Sequence, residues 1–590
     1  MKPSVRLFMS RACLVLAFGF LSLNLYAQPP QIAINQVGFY PGSPKQAIVV
    51  GMPAETRFSI VSEKGDTVFE GQLSDVRKSK NSSLVTRVAD FSGFNKAGKY
   101  RVVSAGLSSP VFTISDRVHD ETAKALIKGF YYQRVSMPLE ERYAGIWARP
   151  AGHPDDKVLV HSSAATEQRP EGTVISSPGG WYDAGDYNKY IVNSGITVGT
   201  LLSAYEDFPE YFAKQNLNIP ESGNGAPDIL NEALYNLRWM LTMQDPHDGG
   251  VYNKLTNAEF DGMVMPGVTK DPRYVVQKGT AATLDFAAVM AQAARIYKKY
   301  PKVFPGLSDS FLEAAKKAWQ WALKNPDMEY NQFAMNRNFK PEIQTGGYGD
   351  RRFTDEWFWA AAELYATTSD KAYAEAIEKY FPEKFSIPTW NSVDMLGVYT
   401  LFRTGNAKMM PETARKQLLD MADAFVKSME DNAFAVVMGQ SPRDFIWGSN
   451  SEAANQGILL INAYILTRDK KYLDAALSNA NYLLGQNATG YSFVTGIGAK
   501  QVMHPHHRPS EADGIVAPVP GLLSGGPNPG KPDRCETYLY SEPETSFTDD
   551  VCSYASNEIA INWNAPAVYL FNAIENLTLK YTVRGGTGPV

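Results

Sequence analysis

Two periodicities divide the chain. Between residues 30 and 115, apolar and polar positions alternate in short runs: Gln46–Val50, Thr56–Ser62, Thr67–Gln72, Leu84–Asp90, Gly98–Ser104 and Ser109–Ile114. Phe58 and Ile60 share one face, as Tyr100 and Val102 do against Lys99 and Arg101, which is the two-residue repeat of half-buried strands. Pro41-Gly42, Gly65-Asp66 and Ala97-Gly98 break the runs where turns are needed. This spacing predicts an immunoglobulin-like β-sandwich over 30–115. The stretch holds no His and no clustered carboxylates, so chemistry is expected elsewhere.

From Asp116 the repeat becomes helical. Asp116 and Asp120 are cap-like residues ahead of Ala123, Leu126, Ile127 and Phe130. Similar patterns recur near 188–207, 226–244, 279–299, 308–324, 354–367, 371–379, 394–404, 410–429, 452–467, 470–485 and 557–577. The prediction is a mainly α protein with about twelve helices over 116–585. The longest interval, 486–556, is rich in Gly, Pro and His. Loops beyond about 15 residues usually carry function. No Pro/Ser-rich linker separates the two regions, so the sandwich should pack directly on the helices.

The first 27 residues form a third pattern. Lys2, Arg6 and Arg11 precede an apolar stretch from Ala12 to Tyr26, and Ala27 supplies a small residue before a cleavage point. A membrane anchor is the rival reading, but about 15 apolar residues are short for a span of about 20. We expect an exported protein, periplasmic or secreted, with no stable membrane span. Cys13 leaves with the signal. An oxidising compartment permits a disulfide between Cys535 and Cys552, with two free thiols as the alternative.

Composition narrows the partners. The 590 residues hold 57 Lys+Arg against 62 Asp+Glu, a formal charge of −5 that offers no field for a nucleic-acid backbone. Ten Trp, 31 Tyr and 29 Phe are a large aromatic set. Three loops concentrate polar groups among them. Gly179-Gly180-Trp181-Tyr182-Asp183-Ala184-Gly185-Asp186-Tyr187 places two carboxylates three apart in a Gly-rich turn. Met503-His504-Pro505-His506-His507-Arg508 holds three of the seven His. Phe547-Thr548-Asp549-Asp550, Tyr554 and Asn557-Glu558 lead into the last helix. Separated carboxylates among aromatics suit glycoside hydrolysis: one stays protonated for the leaving oxygen while another is ionised. From the residues alone, solvated helix caps or a Ca²⁺ site remain open.

These segments resemble glycoside hydrolase family 9. Ser492-Phe493-Val494-Thr495, Gly498, Lys500 and Pro505-His506-His507-Arg508 fit one family signature. Phe547, Asp549, Tyr554, Glu558, Ala560, Asn564 and Ala565 fit another. Gly179 to Asp186 looks like the family's aspartate motif, and 219–225 and 249–252 resemble further blocks. Ile34-Asn35-Gln36-Val37-Gly38-Phe39 resembles the start of the immunoglobulin-like module of one subgroup.

The resemblance implies an (α/α)6 barrel and inverting, endo-acting hydrolysis of β-1,4-glucan chains such as cellulose, mixed-linkage glucan or xyloglucan. It implies Glu558 as general acid, Asp186 as general base and Asp183 as the group that holds the water. Asp549 would tune these neighbours and help raise the Glu558 pKa. His506 and Arg508 would hydrogen-bond the sugar. Trp447 and Trp563 would be stacking surfaces, and Trp181 and Tyr187 are further sugar-binding candidates. His504 and His507 are expected to be structural. No cofactor is needed for catalysis. Thr345 to Asp350 with Asp355 and Glu356 resembles a structural Ca²⁺ site; its candidate ligands are Asp350, Asp355 and Glu356, with Asn391 or Asp394 in reserve. With no Cys between Cys13 and Cys535, the family's zinc site is not expected. Asn253 stands where relatives often have His, which bears on glycone preference. The expected partner is a β-glucan polysaccharide or oligosaccharide, met by a monomer. The alternatives are an exo-acting cellodextrinase or glucosaminidase-type enzyme, and a non-catalytic glycan-binding protein.

Overall fold

The structure is a computed structural model that describes residues 28–584, with side chains to residue 578. The signal reading and Cys13 lie outside the described residues. Two β-sheets form the N-terminal sandwich. One orders its strands Gln31–Ala33, Gln46–Val50, Val85–Asp90 and Arg77–Lys78. The other orders Gly38–Phe39, Phe112–Ile114, Gly98–Ser104, Arg57–Ser62 and Thr67–Gln72, with Leu107–Ser108 paired at the side of Gly98–Ser104. Alternation sends Phe58, Ile60, Tyr100 and Val102 into one core with Phe39, Phe91 and Phe112.

The sandwich seats on the helical domain through buried polar contacts. The Tyr40 hydroxyl donates to Glu575 Oε2 (2.6 Å), and His119 Nδ1 lies 3.2 Å from the same hydroxyl. Asn35 Nδ2 donates to Asn481 Oδ1 (2.8 Å), and Thr86 Oγ1 to the Ala433 carbonyl (2.6 Å). These bonds give partners to polar groups that the contact buries, which offsets the cost of burying them.

The described residues include twelve helices of ten residues or more. They alternate between two environments. Ile191–Asp207, Thr280–Tyr297, Thr354–Thr368, Asp394–Arg403, Ser449–Thr467 and Ile561–Arg584 are apolar on most sides and form the inner ring. A helix apolar all round has to be enclosed. Their partners Asp120–Tyr132, Asp228–Thr242, Leu307–Lys324, Lys371–Tyr380, Thr413–Asp431 and Lys470–Leu483 bury one stripe and form the outer ring. This is the expected (α/α)6 barrel.

One feature departs from the expectation. A five-stranded sheet lies within the helical domain, in the order Val174–Ile175, Val158–Val160, Arg273–Val275, Lys254–Asn257 and Lys189–Tyr190. Strands of two to four residues are too short for their alternation to be read. The sheet fixes Lys189–Tyr190 at the start of an inner helix, directly after the Asp183–Asp186 turn.

Candidate active site

Main-chain pairing brings the three polar loops together. Ala184 bridges Ala560, and the Ile561 N–H donates to the Asp183 carbonyl (2.8 Å). His506 bridges Glu558, with its N–H on the Asn557 carbonyl (2.9 Å). The Arg508 N–H donates to the Gly185 carbonyl (3.2 Å). Gly185 is required at this crossing, because a Cβ there would lie 2.0 Å from the His506 carbonyl oxygen.

Asp183, Asp186 and Glu558 meet at a cleft of about 450 Å³. Asp183 Oδ1 accepts from Asn193 Nδ2 (2.6 Å) and Oδ2 from the Tyr348 hydroxyl (2.8 Å). Burial and the Asp186 charge raise its pKa to about 8. Asp186 Oδ2 accepts from Asn188 Nδ2 (2.5 Å) and from the Tyr190 hydroxyl (3.2 Å). Its buried Oδ1 has no hydrogen-bond partner among the described residues. Burial raises Asp186, but Arg508, the two donors and Lys254 pull it back. Glu558 is held well above the ordinary carboxyl range by burial, then by the charges of Asp186 and Asp183, with Arg508 opposing. Such divergence of neighbouring carboxyls is how one site keeps an acid and a base together.

The cleft walls are aromatic and apolar: Tyr190, Phe260, Tyr348, Trp390, Ile446, Trp447 and Trp563. Trp447 is 47% exposed and leans on Tyr554 at 5.4 Å between ring centroids. Phe260, Trp390, Ile446 and Glu452 were not singled out from the sequence. Glu452 also lines the cleft, with a pKa raised to about 7 by burial and by Asp444.

Several predicted residues have other surroundings. Trp181 is fully buried and donates Nε1–H to Glu232 Oε1 (2.9 Å), so it is core and not a sugar surface. Tyr187 is likewise buried, its hydroxyl on the Val264 carbonyl (2.6 Å). Both flank the aspartates in sequence, but the turn sends them away from the cleft. Arg508 is buried; Nε and one terminal nitrogen donate to the Asp261 carbonyl (2.9 and 2.8 Å) and the other to the Gly185 carbonyl (2.8 Å). That commits three of its five donors to backbone, so Arg508 is a cationic brace beneath the carboxyls. Asp549 accepts the N–H groups of Met503 (2.9 Å) and His504 (2.8 Å) and Asn557 Nδ2 (3.2 Å). It braces the residue before Glu558, and the leading charges that raise Glu558 are Asp186 and Asp183 instead. His506 Nδ1 sits 2.5 Å from the Val551 carbonyl, and burial lowers its pKa. His507 is buried between Gln133 and Ser510. A disulfide joins Cys535 and Cys552, with Cα atoms 5.6 Å apart.

A second acidic group surrounds the start of the helix Thr354–Thr368. It contains Asp350, Asp355, Glu356 and Asp394, and also Asp285, which sequence reasoning missed. Both oxygens of Asp285 and of Glu356, and Oδ2 of Asp350, are buried without a partner. Burial and mutual repulsion push Asp285 and Glu356 far above the carboxyl range. Bare carboxylate oxygens without a basic partner fit a hard cation. The side chains are neighbours rather than a closed shell: among the described residues, the only three ligand atoms within 4.8 Å of one another belong to Cys535, Asp550 and Cys552.

Residues 119–571 match the family model described as glycosyl hydrolase family 9, and residues 27–109 that of a cellulase N-terminal Ig-like domain. The xyloglucan-specific endo-β-1,4-glucanase of Bacteroides ovatus is 45% identical over 559 residues, covering 94% of this chain and 95% of the relative. Endoglucanase D of Acetivibrio thermocellus is 33% identical over 561 residues, covering 93% and 84%. A solved Bacteroides ovatus GH9 structure superposes with a TM-score of 0.88 at 45% identity, covering 93% of this chain and 99% of that one. With its barrel, its carboxyl-floored cleft and its N-terminal sandwich, the chain belongs to glycosyl hydrolase family 9 and is a glycoside hydrolase.

Proposed function

We propose that the protein is an inverting, endo-acting β-1,4-glucanase, with xyloglucan-type chains as its lead substrate. The observation that carries the reading is the trio of desolvated carboxyls at the floor of an aromatic-walled cleft. Glu558 has the strongly raised pKa that a general acid needs near neutral pH. Asp186 is the carboxyl opposed by two cations, Arg508 and Lys254, which favours its ionised form. Glu558 gives its proton to the glycosidic oxygen as the C1–O bond breaks. The water oxygen bonds C1 from the opposite face while Asp186 takes the water's proton. Asp183 holds that water. Phe260 and Trp447 offer surfaces to sugar rings or their substituents. The names of the 45% and 33% identical relatives support β-1,4-glucan and endo action, and that of the first supports xyloglucan.

Anomer-resolved NMR of the first product tests inversion: the α-anomer is expected, and the β-anomer overturns the mechanism. Parallel digests of xyloglucan, mixed-linkage glucan, glucomannan and cellulose test the substrate. A fast fall in viscosity on xyloglucan supports the reading; early release of short sugars alone supports an exo enzyme. Two companion proposals complete it. The N-terminal pattern directs export, and none of the described helices is long and apolar enough to cross a membrane. Asp285, Asp350, Asp355 and Glu356 would hold a stabilising Ca²⁺.

A further inference from the structure

The strand Lys254–Asn257 places a lysine out of reach of solvent. Lys254 is fully buried, among Tyr190, Tyr330 and the loop 345–346. Its Nζ lies 2.8 Å from Gln332 Oε1, 2.9 Å from Thr345 Oγ1 and 2.6 Å from the Gly346 carbonyl. We propose that Lys254 is a positioning residue that acts on Asp186 through two converging hydrogen-bond chains. The proposal rests on the assignment of Asp186 as general base.

The direction of each bond follows from who can donate. Gln332 Nε2 donates to the Thr345 carbonyl (2.6 Å), so its Oε1 faces Lys254 as an acceptor. Asn188 Oδ1 accepts the Asn257 N–H (3.0 Å), so its amide nitrogen faces Asp186 Oδ2. Thr256 Oγ1 reaches Asn188 Oδ1 (2.9 Å) and the Asn257 carbonyl (2.8 Å), both acceptors, which take its single proton. At 2.6 Å from Thr345 Oγ1, Thr256 must therefore accept from Thr345. Thr345 has then given its proton away and must accept from Lys254. The three contacts under 3 Å, to Gln332 Oε1, Thr345 Oγ1 and the Gly346 carbonyl, all call for donors, and an ammonium has three; the Thr345 carbonyl lies farther off at 3.5 Å. The first chain runs Lys254, Thr345, Thr256, Asn188, Asp186.

The second chain is shorter. The Thr345 carbonyl, 3.5 Å from Lys254 Nζ, shares its peptide unit with the Gly346 N–H, which donates to the Tyr190 oxygen (3.0 Å), and the Tyr190 hydroxyl donates to Asp186 Oδ2. Both chains end on the same oxygen. Oδ1, buried and without a protein partner, is left to take the water's proton.

Other charges face this pair. Asp183 and Glu558 lie beside Asp186, Arg508 lies beneath it, and His506 feels its charge. Lys254 faces Asp186, the rings of Tyr190 and Tyr330, and His161. Burial lowers the Lys254 pKa well below its ordinary value, and the Asp186 charge opposes that.

The test is the pH profile of kcat/KM on soluble xyloglucan for wild type, Lys254→Met, Thr256→Val, Tyr190→Phe, the Thr256→Val/Tyr190→Phe double variant and Asp186→Asn. Removing the cation should raise the pKa of the base, so the acidic limb should move to higher pH. For Lys254→Met we expect about one unit, which is about a tenfold loss on that limb, with KM within about twofold. Each single chain-breaking variant should move the limb the same way by less, and the double variant by more than either. A role confined to packing lowers kcat evenly and leaves the limb in place, and that result overturns the proposal. If Lys254→Met does not fold, the double variant decides, and an unmoved limb there overturns it. Activity retained in Asp186→Asn sinks the base assignment itself. Activity lost in Asp186→Asn, with an unmoved limb in a folded Lys254→Met, sinks only the role of Lys254.

Discussion

Asp183 and Asp186 in the cleft, like Asp285 and Glu356 in the second cluster, are buried, but the protein answers the two pairs differently. Around the cleft, Asn193 and Tyr348 serve Asp183, while Asn188, Tyr190, Arg508 and Lys254 serve Asp186. Selected atoms, such as Asp186 Oδ1, are left bare. Around the helix Thr354–Thr368, neither Asp285 nor Glu356 has a basic partner, and burial and the neighbouring carboxylates dominate both. Burial alone drives every acid toward its neutral form. Donors and cations then decide which one stays ionised. The first set is finished by the protein; the second is left open, which is what the proposed Ca²⁺ would require.

The sharpest way to break this contrast is at Glu558. Glu558→Gln removes the transferable proton and should cut kcat by about 10²–10⁴, read as reducing sugar released from a soluble glucan. Full activity in that variant would show that the raised carboxyl is a by-product of burial.

Next in size is chelation. A cation at 100 times its Kd contributes about 2.7 kcal/mol, so EGTA should lower the melting temperature by about 2 °C in a chain of this size. Asp285→Asn should blunt that response while sparing kcat at a temperature where both proteins are folded. An unchanged melting temperature on chelation would mean that the second cluster is closed by protons alone.

A smaller effect concerns the cost of the first cluster. Asp183 has a folded pKa of about 8 against about 3.9 when unfolded. Between those values the folded state binds the extra proton. Its stabilising effect is complete below about pH 4 and fades as pH rises through about 8. Asp183→Asn should therefore melt higher than the parent at pH 8, with less gain at pH 5, while losing activity. The smallest effect lies outside both clusters. Trp447→Ala removes a half-exposed cleft wall and should raise KM several-fold, in line with about 1 kcal/mol for an aromatic contact, with kcat nearly unchanged.

Much of this architecture is legible in the sequence because it follows from repeats. Alternation at Phe58/Ile60 and Tyr100/Val102 marks strands, and the later switch to helical spacing marks the barrel. What escapes is whatever depends on the third dimension. Trp181 and Tyr187 sit beside the aspartates in sequence and in the core in space, because a tight Gly-rich turn reverses which neighbours face the cleft. Asp285 is hidden in the apolar run of Thr280–Tyr297. A lone acid at the centre of an enclosed helix was itself the available signal, since buried carboxylates demand a partner. The loops carrying Phe260, Trp390 and Ile446 have no periodicity, so nothing in them announces a cleft wall.

The pairing of Ala184 with Ala560 and of His506 with Glu558 is made by main chain, which any side chain at those positions shares. The spacing of the cleft carboxyls is thus set independently of the residues on the rim. A lineage can exchange Phe260, Ile446 or Trp447 and wander from one polysaccharide to another without re-inventing its chemistry. For library design the same fact draws a boundary: randomise the rim, and leave Gly185 and the stitched backbone alone.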